Sequence, residues 1–592
     1  MSAPPAHVAQ AAPVAPPGPL GAWTTRPGHT GFRLWAPAAQ RVELVLDSMD
    51  VSMHAEPGGS FFVELAVAEG TRYRYRVDDA EPVPDPASRW QPDGVHGPSA
   101  VLFAEYDWRQ AEWAGRPWPE AVLYEVHVGA CGGYAGLRAQ LPKLAAMGIT
   151  ALELMPVAQF AGTRNWGYDG VLPYAPAAAY GEPRELKALV DEAHALGLMV
   201  LLDVVYNHFG PDGNYLHAYA PSFFREDAPT PWGDAIDFRQ PAVQRYFIDN
   251  ALMWLREYRF DGLRLDAVHA IVPTEFLDTL REAIADALPA GRHVHLVLEN
   301  ERNQASLLAR GYTAQWNDDF HNALHVLLTG ETEGYYGAFA DDPLGHLARV
   351  LGEGFAFQGQ ANAAGHVRGE PSGGLSPDHF VVFAQNHDQI GNRAMGERLR
   401  TMLPAPRLRA ALALTALTPM IPLFFMGEPW GARQPFLFFT DFAPPLDEAV
   451  REGRRREFAH FAAFADAQAR ARIPDPNAAA TFTASRAPIE DADSGEGARW
   501  AEWFAQLMAL RRRWLVPGLA QARALPIRRL GPGALAAGWQ MPQGQWHVAF
   551  NFGPAPVPMP TGAQCLLLAE HVDTGRPMLP VDGFIAWREA LA

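Results

Sequence analysis

The fold class this sequence predicts is α/β: a (β/α)8 TIM barrel with an N-terminal β-sandwich and a C-terminal all-β domain. Three observations point there. First, short apolar runs end in carboxylates: Met199-Val200-Leu201-Leu202-Asp203, Gly262-Leu263-Arg264-Leu265-Asp266, His295-Leu296-Val297-Leu298-Glu299 and the longer run Phe380 to Asp388. Such runs read as strands buried on both faces, as in a parallel sheet covered by helices. Second, these runs alternate with helical patterns, and eight strands can be counted in order. Third, the texture on either side of this region switches to period two. In a barrel of this kind all strands end at one mouth, so acids distant in sequence converge.

The front region runs from about Phe32 to Leu102. Thr71-Arg72-Tyr73-Arg74-Tyr75-Arg76-Val77 alternates strictly, which puts Tyr73, Tyr75 and Val77 on one face and three arginines on the other. Phe32 to Trp35, Val42 to Leu46 and Phe61 to Leu65 alternate similarly between Pro and Gly turns. Barrel texture begins near Trp118. Val122 to His127 is the first strand, a helix follows from Leu137 to Met147 closed by Gly148, and Thr150 to Leu154 is the second strand. A helix from Arg184 to Leu196, with Pro183 before it and Gly197 after it, feeds the strand ending at Asp203. Helices from Pro241 to Tyr258 and from Pro273 to Leu288 feed the strands ending at Asp266 and Glu299. Ala314-Gln315-Trp316, the run ending at Asp388 and Ile421 to Met426 complete the eight. An irregular insertion spans Pro444 to Gly497, and a last helix lies near Trp500 to Arg513. Alternating segments return beyond Pro517. The expected division is a flexible tail over 1–20, the sandwich over 21–110, the barrel over 111–514 and the C-terminal β domain over 515–592.

At 592 residues the chain exceeds one ordinary domain. Hydrophobic residues make up 48% and charged residues 19%, as in soluble globular proteins. A net charge of -18 disfavours nucleic acid and anionic membrane as partners, and a neutral substrate suits it. Cys131 and Cys565 read as reduced thiols of a cytoplasmic protein. The first twenty residues lack the charged start of a signal peptide. Most of the seventeen tryptophans are expected in the core, and Arg454-Arg455-Arg456 on a solvated helix face.

Arg264 and Asp266 are two apart on one strand, so both point into the barrel while Leu263 and Leu265 point outward. The arginine favours the ionised form of Asp266 and suits it to attack as a nucleophile. Repulsion from Asp266 and Asp388 is expected to keep a proton on Glu299. One ionised and one protonated carboxyl, roughly 5 Å apart, are the apparatus of a retaining glycosidase.

Asp203-Val204-Val205-Tyr206-Asn207-His208, Gly262 to Asp266, the Glu299 segment and Asn386-His387-Asp388 resemble the four signature regions of the alpha-amylase family of glycoside hydrolases, in order and on matching strands. The resemblance implies that Asp266 is the nucleophile and Glu299 the general acid/base, with Asp388 as the third carboxylate, holding substrate hydroxyls. It also implies that Arg264, His208 and His387 line the subsite of the reacting sugar, with Tyr168 as its stacking aromatic. His269 joins this substrate-binding set, and Asp203 and Asn207 are expected to steady the loop. His127 reads equally as core or as support to the site.

Longer segments, among them Pro84 to Ser99, Asp261 to Ile271, Gln315 to Ala323, Gln385 to Arg393 and Pro435 to Phe442, resemble the malto-oligosyltrehalose trehalohydrolase branch of that family over roughly residues 30 to 590. That branch cleaves the α-1,4 bond next to a terminal trehalose without metal or organic cofactor, and works with a maltooligosyl trehalose synthase. Asp318, Asp319 and His321 are the candidates for gripping the trehalose end. Glycogen branching or debranching enzymes and α-glucan hydrolases are the neighbouring readings, and a non-catalytic glucan-binding barrel is the distant one. Three departures sit at strand ends: a short loop at Gly129 to Tyr134, Pro429 in Gly427-Glu428-Pro429-Trp430, and Asn300-Glu301-Arg302-Asn303 beside the acid.

Overall fold

The computed structural model describes residues 18–230, 233–361, 367–563 and 566–589. At the front, two four-stranded antiparallel sheets face each other. One contains Gly21–Arg26, His29–Trp35, Ser60–Leu65 and His54–Glu56; the other contains Asp50–Ser52, Val42–Leu46, Arg72–Val77 and Ser99–Ala100. Period-two geometry buries Tyr73, Tyr75 and Val77 between them and leaves Arg72, Arg74 and Arg76 at the outer face. The expected tail needs one correction. Residues 1–17 lie outside the described residues, but Leu20 is buried and the carbonyl of Pro19 accepts a hydrogen bond from Arg33, so the packed chain already includes 18–20.

The centre is a closed parallel barrel of eight strands: β1 (Leu123–Val126), β2 (Ala151–Leu154), β3 (Met199–Val204), β4 (Gly262–Leu265), β5 (His295–Leu298), β6 (Ala314–Trp316), β7 (Phe380–Val382) and β8 (Ile421–Phe425). Every residue of these strands is buried, which is why their sequences read as apolar runs. Helices Pro183–Ala195, Pro241–Arg256 and Glu275–Ala287 cover the outside, each within a few residues of its predicted span. The first helix starts earlier than expected, at Gly133, whose φ of +79° and approach to the Tyr180 carbonyl leave no room for a Cβ.

Strand β7 departs from the reading more sharply. It ends at Val382, and Asp388 sits six residues later in a one-turn helix, His387–Gly391. Asn386 explains the break: its side chain accepts from the backbone N–H of Asp388 and starts a helix where the apolar run suggested continued strand.

The segment after β8 contains helix Leu446–Glu457 and several single turns before helix Gly495–Trp514. Beyond it, a six-stranded antiparallel sheet is built on Ala534–Met541, Gly544–Asn551 and Gly583–Glu589. Trp546 donates to the Leu417 carbonyl at 2.8 Å, tying this sheet to the barrel. Buried side chains of the sandwich, the barrel and the inner face of this sheet form one continuous core, and the outer face has a smaller core of its own. Cys131 is a free thiol, while Cys565 lies outside the described residues. Among the described residues no helix is long and apolar enough to cross a membrane.

Candidate active site

At the C-terminal mouth of the barrel opens a cleft of about 890 Å³, lined by Tyr168, His208, Arg264, Asp266, Glu299 and Asp388 among others. Its anchor is Arg264. One Nη atom of this buried arginine donates to both oxygens of Asp203, at 2.9 and 2.8 Å, and to Asp266 at 2.7 Å. The other lies 3.9 Å from Glu299. The guanidinium rests 4.1 Å above the ring of Trp316, which limits its movement. The register explains the triple contact: Asp203 pairs with Arg264 across β3 and β4, so both side chains enter the barrel at one level.

Asp266 and Glu299 share this arginine but meet opposite surroundings. Burial pushes Asp266 up, but the charge of Arg264 and a hydrogen bond from Asn207 to Oδ2 at 2.8 Å outweigh it and hold the carboxyl below its ordinary range. Glu299 is raised to about 8, first by burial and then by the charges of Asp266 and Asp318, against the pull of Arg264. The charge that raises it next after Asp266 is that of Asp318, where Asp388 was expected. One Glu299 oxygen, Oε2, accepts from the backbone N–H of Ala267 at 2.6 Å, so Oε1 is the oxygen free to carry the proton. Ala267 adopts φ +41°, a left-handed conformation that costs an alanine roughly 1–2 kcal/mol. That turn aims the N–H at Glu299 directly after Asp266.

Tyr168 donates from its hydroxyl to Asp203 at 2.7 Å, and its ring stacks 5.0 Å from that of His387. His387 is held by Glu125, which accepts from its backbone N–H at 3.0 Å and from its Nδ1. Burial disfavours the charged form of His387, but Glu125 outweighs it and favours the imidazolium. His208 is instead pushed down by burial, and its Nε2 donates to the Tyr168 carbonyl. His269 lines the cleft with Nε2 3.6 Å from Glu301. Asp388 is steadied by Asn392, which donates to Oδ1 at 2.6 Å.

The three residues expected at the trehalose end separate. Asp318 faces the cleft. Asp319 does not: it is fully buried and accepts from Asn303, Arg368 and the backbone N–H groups of Ala356 and Phe357, so it organises the rim from below. His321 is also turned away, with Nδ1 donating to the Ala384 carbonyl and Nε2 against the Tyr336 hydroxyl. On helix Asp318–Thr329 the helical period turns Asp319 away from Asp318, while His321, three residues on and so on the same side as Asp318, is drawn off by the Ala384 carbonyl and the Tyr336 hydroxyl. Asp203 and Asn207 stand behind the lining, where each holds a group that faces the cleft. His127 is core: it accepts from Ala130 at Nδ1, donates to the Asn165 carbonyl at Nε2, and burial pushes it down to about 4.

Of the three departures from the family wording, only Glu301 and Arg302 line the cleft; Gly129 to Tyr134 and Pro429 do not. Glu125 and Glu153 were not among the residues expected near the site. Each is a lone acid inside an apolar strand, which was the signal available, and the two sit side by side in register on β1 and β2. Arg454 corrects another expectation: it is buried and its guanidinium reaches two backbone carbonyls. Among the described residues no group of three or more His, Cys, Asp or Glu side chains has an arrangement that could hold a metal ion.

Comparison with known proteins adds a family context. The alpha amylase catalytic domain family matches residues 103–227, carbohydrate-binding module 48 (isoamylase N-terminal domain) matches 19–91, and a domain of unknown function matches 522–584. Malto-oligosyltrehalose trehalohydrolase of Deinococcus radiodurans is 43% identical over 505 residues, covering 83% of each chain. The protein of that name from Rhizobium sp. is 40% identical over 578 residues, covering 92% of this chain and 94% of its own. A crystal structure described as a putative alpha amylase from Salmonella typhimurium superposes with a TM-score of 0.92 at 43% identity, covering 97% of this chain and 99% of that one.

Proposed function

The chain belongs to the malto-oligosyltrehalose trehalohydrolases of the alpha-amylase family, and on that footing we propose that its cleft cleaves the α-1,4-glucosidic bond next to the terminal trehalose of a maltooligosyl trehalose. The observation that carries this reading is the pair Asp266 and Glu299, joined through Arg264 in one cleft with opposite preferences for a proton.

The chemistry follows from those preferences. Glu299 gives its proton to the glycosidic oxygen as ionised Asp266 attacks the anomeric carbon, so the glycosidic bond breaks, a glycosyl ester forms and trehalose leaves. Glu299, now ionised, takes a proton from water; the hydroxide attacks the same carbon and frees Asp266 and the shortened malto-oligosaccharide. Arg264 stabilises the carboxylate of Asp266 before attack and after release. Asp388 holds hydroxyls of the reacting sugar, while Tyr168, His208, His269 and His387 line its subsite. Asp318 takes the trehalose side. Asp203 and Asn207 keep Arg264, Tyr168 and Asp266 in place. On the same reading a maltooligosyl trehalose synthase supplies the substrate, and the work is done in the cytoplasm.

The test is product analysis on maltopentaosyl trehalose and maltohexaose, incubated separately. Free trehalose from the first and strong preference for it are expected. Equal cleavage of both, or new α-1,6 links, would overturn the specificity in favour of a general glucan hydrolase or a branching enzyme.

A further inference from the structure

Helix Leu446–Glu457 is strongly polar, and of its four arginines Arg451, Arg454, Arg455 and Arg456 only Arg454 is buried. Its guanidinium lies 4.6 Å from the ring centre of Phe458 and 5.4 Å from that of Phe438. Nη2 donates to the Gly391 carbonyl at 2.6 Å and the Arg393 carbonyl at 3.1 Å, and Nη1 to Glu457 at 3.0 Å. Gly391 is the last residue of the one-turn helix that begins at His387 and carries Asp388. Carbonyls at a helix end have no partner within the helix, and a cation there is favourable.

The same turn is pressed from another side. A Cβ on Gly391 would stand 2.0 Å from the indole of Trp166, which itself lines the cleft. Asn386 fixes the start of the turn and Asn392 holds the Asp388 carboxylate. A helix of five residues cannot hold its own geometry; here Trp166 and Arg454 supply it.

We propose that Arg454 is a positioning residue for the reaction: from outside the cleft it grips the end of the His387–Gly391 turn and so sets where the carboxylate of Asp388 stands. The proposal rests on the reading that Asp388 holds hydroxyls of the reacting sugar. It gives the segment between β8 and the last helix a part in catalysis, because the helix that supplies Arg454 lies wholly within it.

The test is a double-mutant cycle read in kcat/KM on a maltooligosyl trehalose. Arg454→Met keeps an apolar stem between the two phenylalanines and removes the donors. It is expected to lower kcat/KM by roughly a hundredfold, the scale of a small misplacement at a reacting centre, with the melting temperature near that of wild type. Asp388→Asn should lower it further, and the double variant should be no worse than Asp388→Asn alone. Arg456→Met, on the exposed face of the same helix, should match wild type. Arg454→Lys keeps the charge without the planar fork and should fall between Met and wild type; it carries the cycle if the Met variant does not fold. Losses that multiply in the double variant, or a folded Arg454→Met within twofold of wild type, would overturn the proposal. An Asp388→Asn enzyme as active as wild type would instead overturn the role given to Asp388, and the clamp with it.

Discussion

Replacing Asp318 by asparagine is expected to move the alkaline limb of the kcat/KM profile to lower pH. Glu299 must carry a proton to act, so activity is present below its titration and is lost as pH rises through about 8. Burial does most to hold it there, followed by Asp266 and Asp318, with Arg264 and the N–H of Ala267 pulling the other way. Asp318 is raised to about 7, by burial and by Asp388, so it is largely ionised at the pH where Glu299 titrates. Its negative charge therefore acts where it matters. Asparagine keeps the shape and removes that charge. Glu299 stands at about 8 against an ordinary 4.5, and Asp318 is one of three influences raising it. A share of roughly one pH unit is a tenfold change in proton affinity. The assay is initial rate at low substrate across neutral to alkaline pH, run beside a substrate whose activated leaving group departs without a proton. The limb should move with the natural substrate and be absent or unmoved with the activated one, whose leaving group does not need the proton of Glu299. The acid limb, set by Asp266, should not move with either. An alkaline limb that stays in place, or moves upward, would refute the reasoning.

The remaining predictions concern the same cluster. Asp266→Asn should abolish nearly all turnover, measured as trehalose released over long incubations; a rate within tenfold of wild type would remove Asp266 from the nucleophile's role. Glu299→Gln should lose roughly 10²–10⁴-fold on the natural glycoside but much less on a substrate with an activated leaving group, and equal losses on both would count against its acid role. Glu153 is buried, and burial followed by the charge of Glu125 raises it well above the ordinary 4.5. The folded protein then keeps a proton that the unfolded chain releases, so this contribution to stability is full below about 4.5 and declines as pH rises above it. Glu153→Gln should flatten that decline in denaturant titrations across weakly acid to neutral pH, and an unchanged slope would show that Glu153 is not its source.

Much of the barrel was legible because full burial of parallel strands leaves a signature of continuous apolar residues interrupted at their ends. Asp203, Asp266 and Glu299 stood out for that reason, Asp203 near the end of β3 and Asp266 and Glu299 one residue beyond β4 and β5. Asp388 was legible as a residue but not as a geometry, because Phe383 and Ala384 extend the apolar run past the end of β7 and the cap at Asn386 decides where the chain turns. Asp318 and Asp319 show a similar limit. They are adjacent and chemically alike, and only the surroundings of helix Asp318–Thr329 turn one to the cleft and the other to the rim. Arg454 was hidden by its neighbours, since a run of three arginines resembles a solvated face and its partners are backbone carbonyls some sixty residues away.

The core that runs unbroken from the front sandwich through the barrel to the inner face of the last sheet bears on how this architecture changes over generations. Parts that share buried side chains gain and lose stability together, so a substitution at a seam such as the Trp546 to Leu417 contact is felt on both sides. Such a chain is expected to melt in one step, and its front and rear regions cannot be exchanged for those of a distant relative without matching changes in the barrel. Substitutions at the exposed ends of loops, which share none of these buried side chains, are expected to be borne one at a time. In stability, the sandwich, the barrel and the inner face of the last sheet are then one unit, and the loop ends stand outside it.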